Sequence, residues 1–168
     1  MSPTVVQVVE SCRPAREYAD PRFGSALRID VRITLLAAGL IFLLALALGI
    51  WKYRQIAVSE DHRAHPYVDI AHRAALLYSF ATLLVAVFVA LSAWPAWVNL
   101  TAAMVVVFFF VAAIAGYMLH GARRDTENQF EHHTRGLKVS MALLIVGEIG
   151  GFAVLLAGFI FGQLVWTR

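Results

Sequence analysis

The sequence predicts an all-α integral membrane protein, a bundle of four transmembrane helices. Composition is the first of three observations behind this. Of the 168 residues, 60% are apolar and 15% are charged, whereas a soluble domain is about a quarter charged and about half apolar. The mean hydropathy is +0.71, an excess too large for one soluble core. Second, the apolar residues fall in long uncharged runs. Third, those runs lack the strand alternation of a membrane barrel, the other way to satisfy a backbone in lipid. A soluble enzyme, a disordered chain and a nucleic-acid-binding module are excluded. The net charge of +3 is small, and the basic residues flank the apolar runs. The single cysteine, Cys12, excludes a disulfide framework and a Cys-rich zinc site.

The elements follow in order. Residues 1–30 are polar, with Pro3, Pro14 and Pro21, and lack the pattern of a standard signal peptide. They read as a tail with an interfacial piece around Phe23 to Ile29. Residues 31–168 form a single transmembrane domain. A bilayer core about 30 Å thick takes about 20 apolar residues in a helix. Ile33 to Trp51 is such a run, closed by Lys52 and Arg54, and predicts a first span over 31–54. From Ala74 to Leu119 nothing is formally charged, too long a run for one helix. Trp94-Pro95-Ala96-Trp97 divides it, because Pro95 lacks a backbone donor and tryptophans mark an interface. The second and third spans are therefore 72–93 and 99–120, joined as a tight hairpin. Val139 to Thr167 holds the fourth, 139–165, with Glu148 its one charge.

An even number of spans puts both termini on one side. Face B holds loops 52–71 and 121–138; face A holds the tail, the 94–98 turn and the C-terminus. Face B carries Lys52, Arg54, Arg63, Arg73, Arg123, Arg124, Arg135 and Lys138, against Arg13, Arg16, Arg22, Arg28, Arg32 and Arg168 on face A. The slight excess leans face B toward the cytoplasm, and a bacterial inner membrane is the expected location.

All the histidines fall at face B: His62, His65, His72, His120, His132 and His133. Imidazole is the commonest metal ligand and a common haem axial ligand. The bland alternative is that polar residues sit where the loops are. His72 is the first choice for a metal. Asp69, three residues before it, shares its helical face and is placed to orient the imidazole. Arg73 suits an anionic group such as a haem propionate or a lipid phosphate. His120, with Tyr117 and Arg124 on its face, is the second choice. If both histidines ligate, the site becomes a bis-histidine electron carrier. The alternative for each is a helix-end histidine at headgroup level.

Glu148 lies about 15 Å into the fourth span at 1.5 Å per residue. A carboxylate there is costly, so it faces the bundle, is neutral, or is paired. It reads either as a proton or substrate group or as a packed hydrogen-bonded acid. Gly147 and Gly151, like Gly158 and Gly162, are spaced for close helix approach. Tyr78 and Tyr117 are hydroxyl donors near face B. No phosphate loop and no hydrolase pattern is present.

The segment Ala71-His72-Arg-Ala-Ala-Leu-Leu-Tyr78, together with Gly116-Tyr117 and Asn128-Gln129-Phe130, resembles the small four-helix membrane proteins that include styrene oxide isomerase and hydroxylaminobenzene mutase. The resemblance covers these short motifs and the topology. It implies a homo-oligomer, a trimer, that holds haem b with His72 as axial ligand. Tyr117 matches an active-site tyrosine, and Asn128, Gln129 and Phe130 match a loop motif. Tyr78 stands where the family carries Asn. The implied reaction uses ferric iron as a Lewis acid on an epoxide oxygen. The leading expectation is thus a haem-dependent isomerase acting on a small hydrophobic substrate. Tyr117 or Tyr78 would position the substrate oxygen, and Arg73, Arg123 or Arg124 would bind propionates. Two other classes stay open: a non-catalytic subunit docked through the glycine stripe, and a proton-coupled small transporter using Glu148.

Overall fold

A computed structural model of the chain describes residues 27–124 and 135–165. It is all-α: α1 (Ile29–Val58), α2 (Pro66–Leu91), α3 (Ala96–Arg123) and α4 (Arg135–Ile160), the last continued by a π-helical turn, Phe161–Val165. All four helices are long and apolar enough to cross a membrane. Most of the 1–30 tail lies outside the described residues.

All four helices overrun the expected spans at face B. The polar residues beyond each apolar run are competent helix formers and continue the turn into the headgroup region. Thus α1 carries on through Lys52, Arg54 and Gln55 to Val58. Helix α2 starts at Pro66 rather than near 72, because Pro is preorganised for the first helical position. His65 caps it, its Nδ1 accepting from the Tyr67 N–H at 3.3 Å. Gln55 Oε1 accepts from the His65 N–H at 2.9 Å and ties that cap to α1. At face A, Pro95 occupies the N-cap position of α3, at the break between spans that the sequence predicts. At its other end α3 stops at Arg124, which takes the left-handed conformation, φ 51°.

Two apolar clusters fill the bundle. Toward face A, Val31, Val85, Val89, Ala103, Val106, Phe110 and Leu155 meet. Toward face B, Ile41, Ala45, Leu48, Ala71, Ala75 and Ile114 do so. Ala45, Ala71 and Ala75 are fully buried, and their small side chains let α1 and α2 pack closely. The outward surface is just as apolar: Leu36, Leu43, Ile50, Leu77, Phe108, Val146 and Ile149 are exposed. A soluble monomer rarely shows so continuous an apolar surface, and these side chains suit lipid contact.

Helix α4 is the most peripheral. Only 11% of its central stretch is buried, against 28% to 33% in the others. Its glycine stripe is nevertheless taken up inside the chain. The Phe109 ring sits over Gly147, Val106 and the Ala102 carbonyl lie over Gly151, and Ser92 and Trp94 lie over Gly158. A stripe occupied in this way is not available to dock a larger complex. The hairpin tip is latched to α4 by hydrogen bonds: Trp94 Nε1 donates to the Val154 carbonyl at 2.9 Å, and the Ala93 N–H to the Gly158 carbonyl at 3.0 Å. Gln163 in the π-helical turn donates to the Leu91 carbonyl at 3.0 Å.

Candidate functional site

The face B half of α2 carries two sets of side chains on opposite sides. His72 points at α1. Its Nδ1 lies 2.9 Å from the Ala45 carbonyl oxygen, an acceptor, so Nδ1 donates and Nε2 is the ring nitrogen left outside this bond. Gly49 makes this approach possible, since a Cβ there would lie 3.0 Å from His72 Cε1. The orienting group is therefore a carbonyl and not Asp69, which corrects the expectation from spacing. Asp69 instead joins two helices. One carboxylate oxygen pairs with Lys52 of α1 and the other with Arg73 Nε at 3.1 Å. The ammonium and the guanidinium hold that carboxylate by charge-assisted contacts.

The other side of α2 faces α3. Ile70, Arg73, Ala74, Leu77 and Tyr78, with Tyr117 of α3, line a cavity of about 290 Å³. A second cavity, about 260 Å³, lies between α3 and α4, lined by Phe109, Ala112, Ala113, Gly116, Tyr117, Ser140, Met141, Leu143 and Leu144. Tyr117 is a wall of both. An apolar cavity of about 150 Å³ holds benzene, so each has room for a single-ring molecule. Tyr78 stacks on Phe110 with ring centroids 4.3 Å apart and nearly parallel planes. Toward face A, Phe88 packs against Phe152 and Phe159 and closes α2 on α4.

Glu148 faces inward, as its depth requires. Its Oε1 is buried and has no hydrogen-bond partner among the described residues. Tyr78 lies within electrostatic reach of both Glu148 and Tyr117. The structure thus brings Tyr78 and Tyr117, singled out separately in the sequence, to one cavity, with Arg73 at its face B end; Glu148 lines neither cavity.

It does not bring His72 and His120 together. The His120 ring packs on Tyr67, 5.4 Å between centroids, while His72 lies on α1. Tyr67 also stacks on Tyr117 at 6.3 Å. Sequence reasoning missed Tyr67, and Pro66 was the available signal, since a helix beginning there turns Tyr67 inward. Lys52 and Gly49 were missed as well, because only the α1–α2 packing gives them partners. Arg123 and Arg124 are exposed at the end of α3. Asn128, Gln129, Phe130, His132 and His133 lie outside the described residues. Among the described residues no group of three or more His, Cys, Asp or Glu side chains is placed to hold a metal ion. A haem iron, which takes its equatorial ligands from the porphyrin, needs only one protein nitrogen.

Fold and helix surface together define a small four-span membrane protein with lateral, tyrosine-lined cavities. Comparison with known protein families, with curated proteins and with solved structures returns no match.

Proposed function

We propose that this chain is the subunit of a membrane-embedded, haem-dependent isomerase acting on a small hydrophobic substrate such as an epoxide. The observation that carries the reading is the contact of His72 Nδ1 with the Ala45 carbonyl. Donation from Nδ1 to the Ala45 carbonyl leaves Nε2 for a metal, the arrangement that ligating histidines use. The donor chemistry fits haem b: a neutral imidazole for the iron, with Arg73, Arg123 and Arg124 as cations for the propionates. When bound, ferric haem supplies a Lewis acid for the epoxide oxygen. The chain's own residues bind and orient. Tyr78 and Tyr117 offer hydroxyl donors to a substrate oxygen in the α2–α3 cavity, while Ala74 and Leu77 hold its apolar body.

His72 and the two tyrosines face different sides of α2 within one chain. This supports a homo-oligomer whose site is completed across a subunit contact, with three copies as the resemblance implies. The same reading places the chain in a bacterial inner membrane with loops 52–71 and 121–138 cytoplasmic. One observation favours a second reading, a proton-coupled carrier: the unpartnered Glu148 carboxyl inside the bilayer.

The test is the visible absorption spectrum of protein purified in detergent from haem-replete cells. A Soret band is expected in the wild type, in Asp69→Asn and in Glu148→Gln, and its loss in His72→Ala. A colourless wild type, or a His72→Ala variant with full haem, overturns the proposal.

A further inference from the structure

We propose that the α2–α3 cavity seats one anionic phospholipid of the face B leaflet, with its phosphate on Arg73 and an ester carbonyl on Tyr78. The inference concerns the cavity that the function proposed above gives to substrate, but it requires neither haem nor His72. Where both hold, lipid and substrate compete for the cavity, and Arg123 and Arg124 are left for propionates.

Depth and charge come first. The uncharged stretch that α2 and α3 share begins at Ala74, so Arg73 stands at the edge of the hydrocarbon. An arginine there reaches toward the headgroups. Its ion pair does not cancel it. Asp69 is shared between Arg73 and Lys52, and the three groups together keep one positive charge. The contact with Asp69 uses Nε, and the Arg73 side chain stays 66% exposed. That leaves the terminal nitrogens for a second anion, and a planar guanidinium matches the oxygens of a phosphate.

Shape is the second observation. Arg73 is a wall of the cavity, with Ala74, Leu77, Tyr78 and Tyr117. Leu77 also lies exposed on the outer surface, so the cavity opens sideways to lipid. Tyr78 is five residues beyond Arg73, about 7.5 Å deeper at 1.5 Å per residue. Its ring is held against Phe110, and no hydrogen bond among the described residues engages its hydroxyl. Deeper still, the open face continues. Leu77 and Leu84 are seven apart and share a helical face, and both are exposed.

A glycerophospholipid presents its groups in the same order. Its phosphate is uppermost, its ester carbonyls lie one glycerol unit below, and its chains follow. Guanidinium, phenol hydroxyl and leucine surface meet them in turn. At about 290 Å³ the cavity takes the glycerol region and the start of one chain, and the rest of the chain lies along Leu84. A free phosphate has nothing to offer the apolar walls. A zwitterionic lipid brings its own ammonium to its phosphate and gains less from Arg73. A second copy of the chain seated here would bury the net positive charge of the Lys52, Asp69 and Arg73 group, which is costly. Basic pockets between membrane helices are a known form of anionic headgroup site.

The test is native mass spectrometry of the full-length protein, equilibrated in detergent with equal amounts of dioleoylphosphatidylglycerol and dioleoylphosphatidylcholine. The first retained lipid is expected to be phosphatidylglycerol, favoured roughly fivefold, the factor one cation near an anionic headgroup supplies. Arg73→Gln should abolish the preference and Arg73→Lys keep most of it. Arg54→Gln removes another exposed face B charge and should leave it intact. Tyr78→Phe should lower retention of both lipids without changing their ratio. Glycerol phosphate at the same concentration should displace neither. His72→Ala should keep the preference, which separates this site from the haem proposal. The inference is overturned by an absent preference in the wild type, or by one that survives Arg73→Gln or is lost equally in Arg54→Gln or in His72→Ala. Unchanged retention in Tyr78→Phe, displacement by glycerol phosphate, or an oligomer that retains no lipid also overturns it.

Discussion

The imidazole of His72 meets a carbonyl that belongs to the middle of another helix. In α1 the Ala45 carbonyl also faces the N–H of residue 49, four positions on, and that residue is Gly49. With no Cβ in the way, the ring comes close to the α1 backbone and its Nδ1 reaches the oxygen's second lone pair. The histidine, the glycine and the alanine form one unit, with Ala45 fully buried beneath. The expected consequence is specific to the position. Gly49→Val forces the ring off the carbonyl and costs about 1–3 kcal/mol, the usual range for overpacking. Gly39→Val, where a Cβ meets nothing within 4 Å, changes little. Thermal unfolding in detergent compares the two. Asp69, by contrast, pairs with Lys52 while about a third exposed, and partly solvated pairs of this kind contribute little.

Among the elements, α4 shows how an apolar helix finds its place without a large buried face. Lipid is as apolar as leucine, so burial alone does not drive α4 onto its neighbours; close packing and hydrogen bonds do. Glycines provide the close packing, and the hairpin-tip bonds from Trp94 and Ala93 fix the register. The adjacent pair Gly150 and Gly151 separates this account from mere hydrophobicity. A Cβ on Gly151 would lie 2.7 Å from Val106 Cγ2 and 2.9 Å from the Ala102 carbonyl oxygen, while one on Gly150 meets nothing within 4 Å. A backbone oxygen has little room to yield. Gly151→Leu is therefore expected to destabilise the fold by at least about 1–3 kcal/mol, and Gly150→Leu to be close to neutral. Denaturation in detergent, monitored by the loss of helical circular dichroism, reads the difference.

At the scale of the molecule, four spans put both termini on one side of the membrane, and basic residues set which side. Face B carries the greater number of lysines and arginines near helix ends, so the proposed orientation has both termini outside the cytoplasm. Cys12, the sole cysteine, reports on this directly. A membrane-impermeant maleimide added to intact spheroplasts is expected to label wild-type protein and not Cys12→Ser. Labelling only after the membrane is opened would reverse the orientation. The asymmetry of the bundle matters too. The Phe88, Phe152 and Phe159 rings pack together toward face A, while both cavities lie toward face B beside Tyr117.

Span number, all-α class, the hairpin at Pro95 and the inward turn of Glu148 were legible from the residues, because the bilayer imposes length and apolarity on any helix that crosses it. Candidate groups were legible as well, since Tyr78, Tyr117, His72 and Glu148 are polar residues in or beside apolar runs. Their grouping was not. Spacing paired Asp69 with His72, and packing gave each a different partner on α1. Spacing offered the glycine stripe to an outside partner, and α3 with the hairpin tip occupies it. Periodicity along one helix says which residues share a face. Which neighbour meets that face depends on contacts between residues far apart in the chain, and those are settled by how the four helices pack.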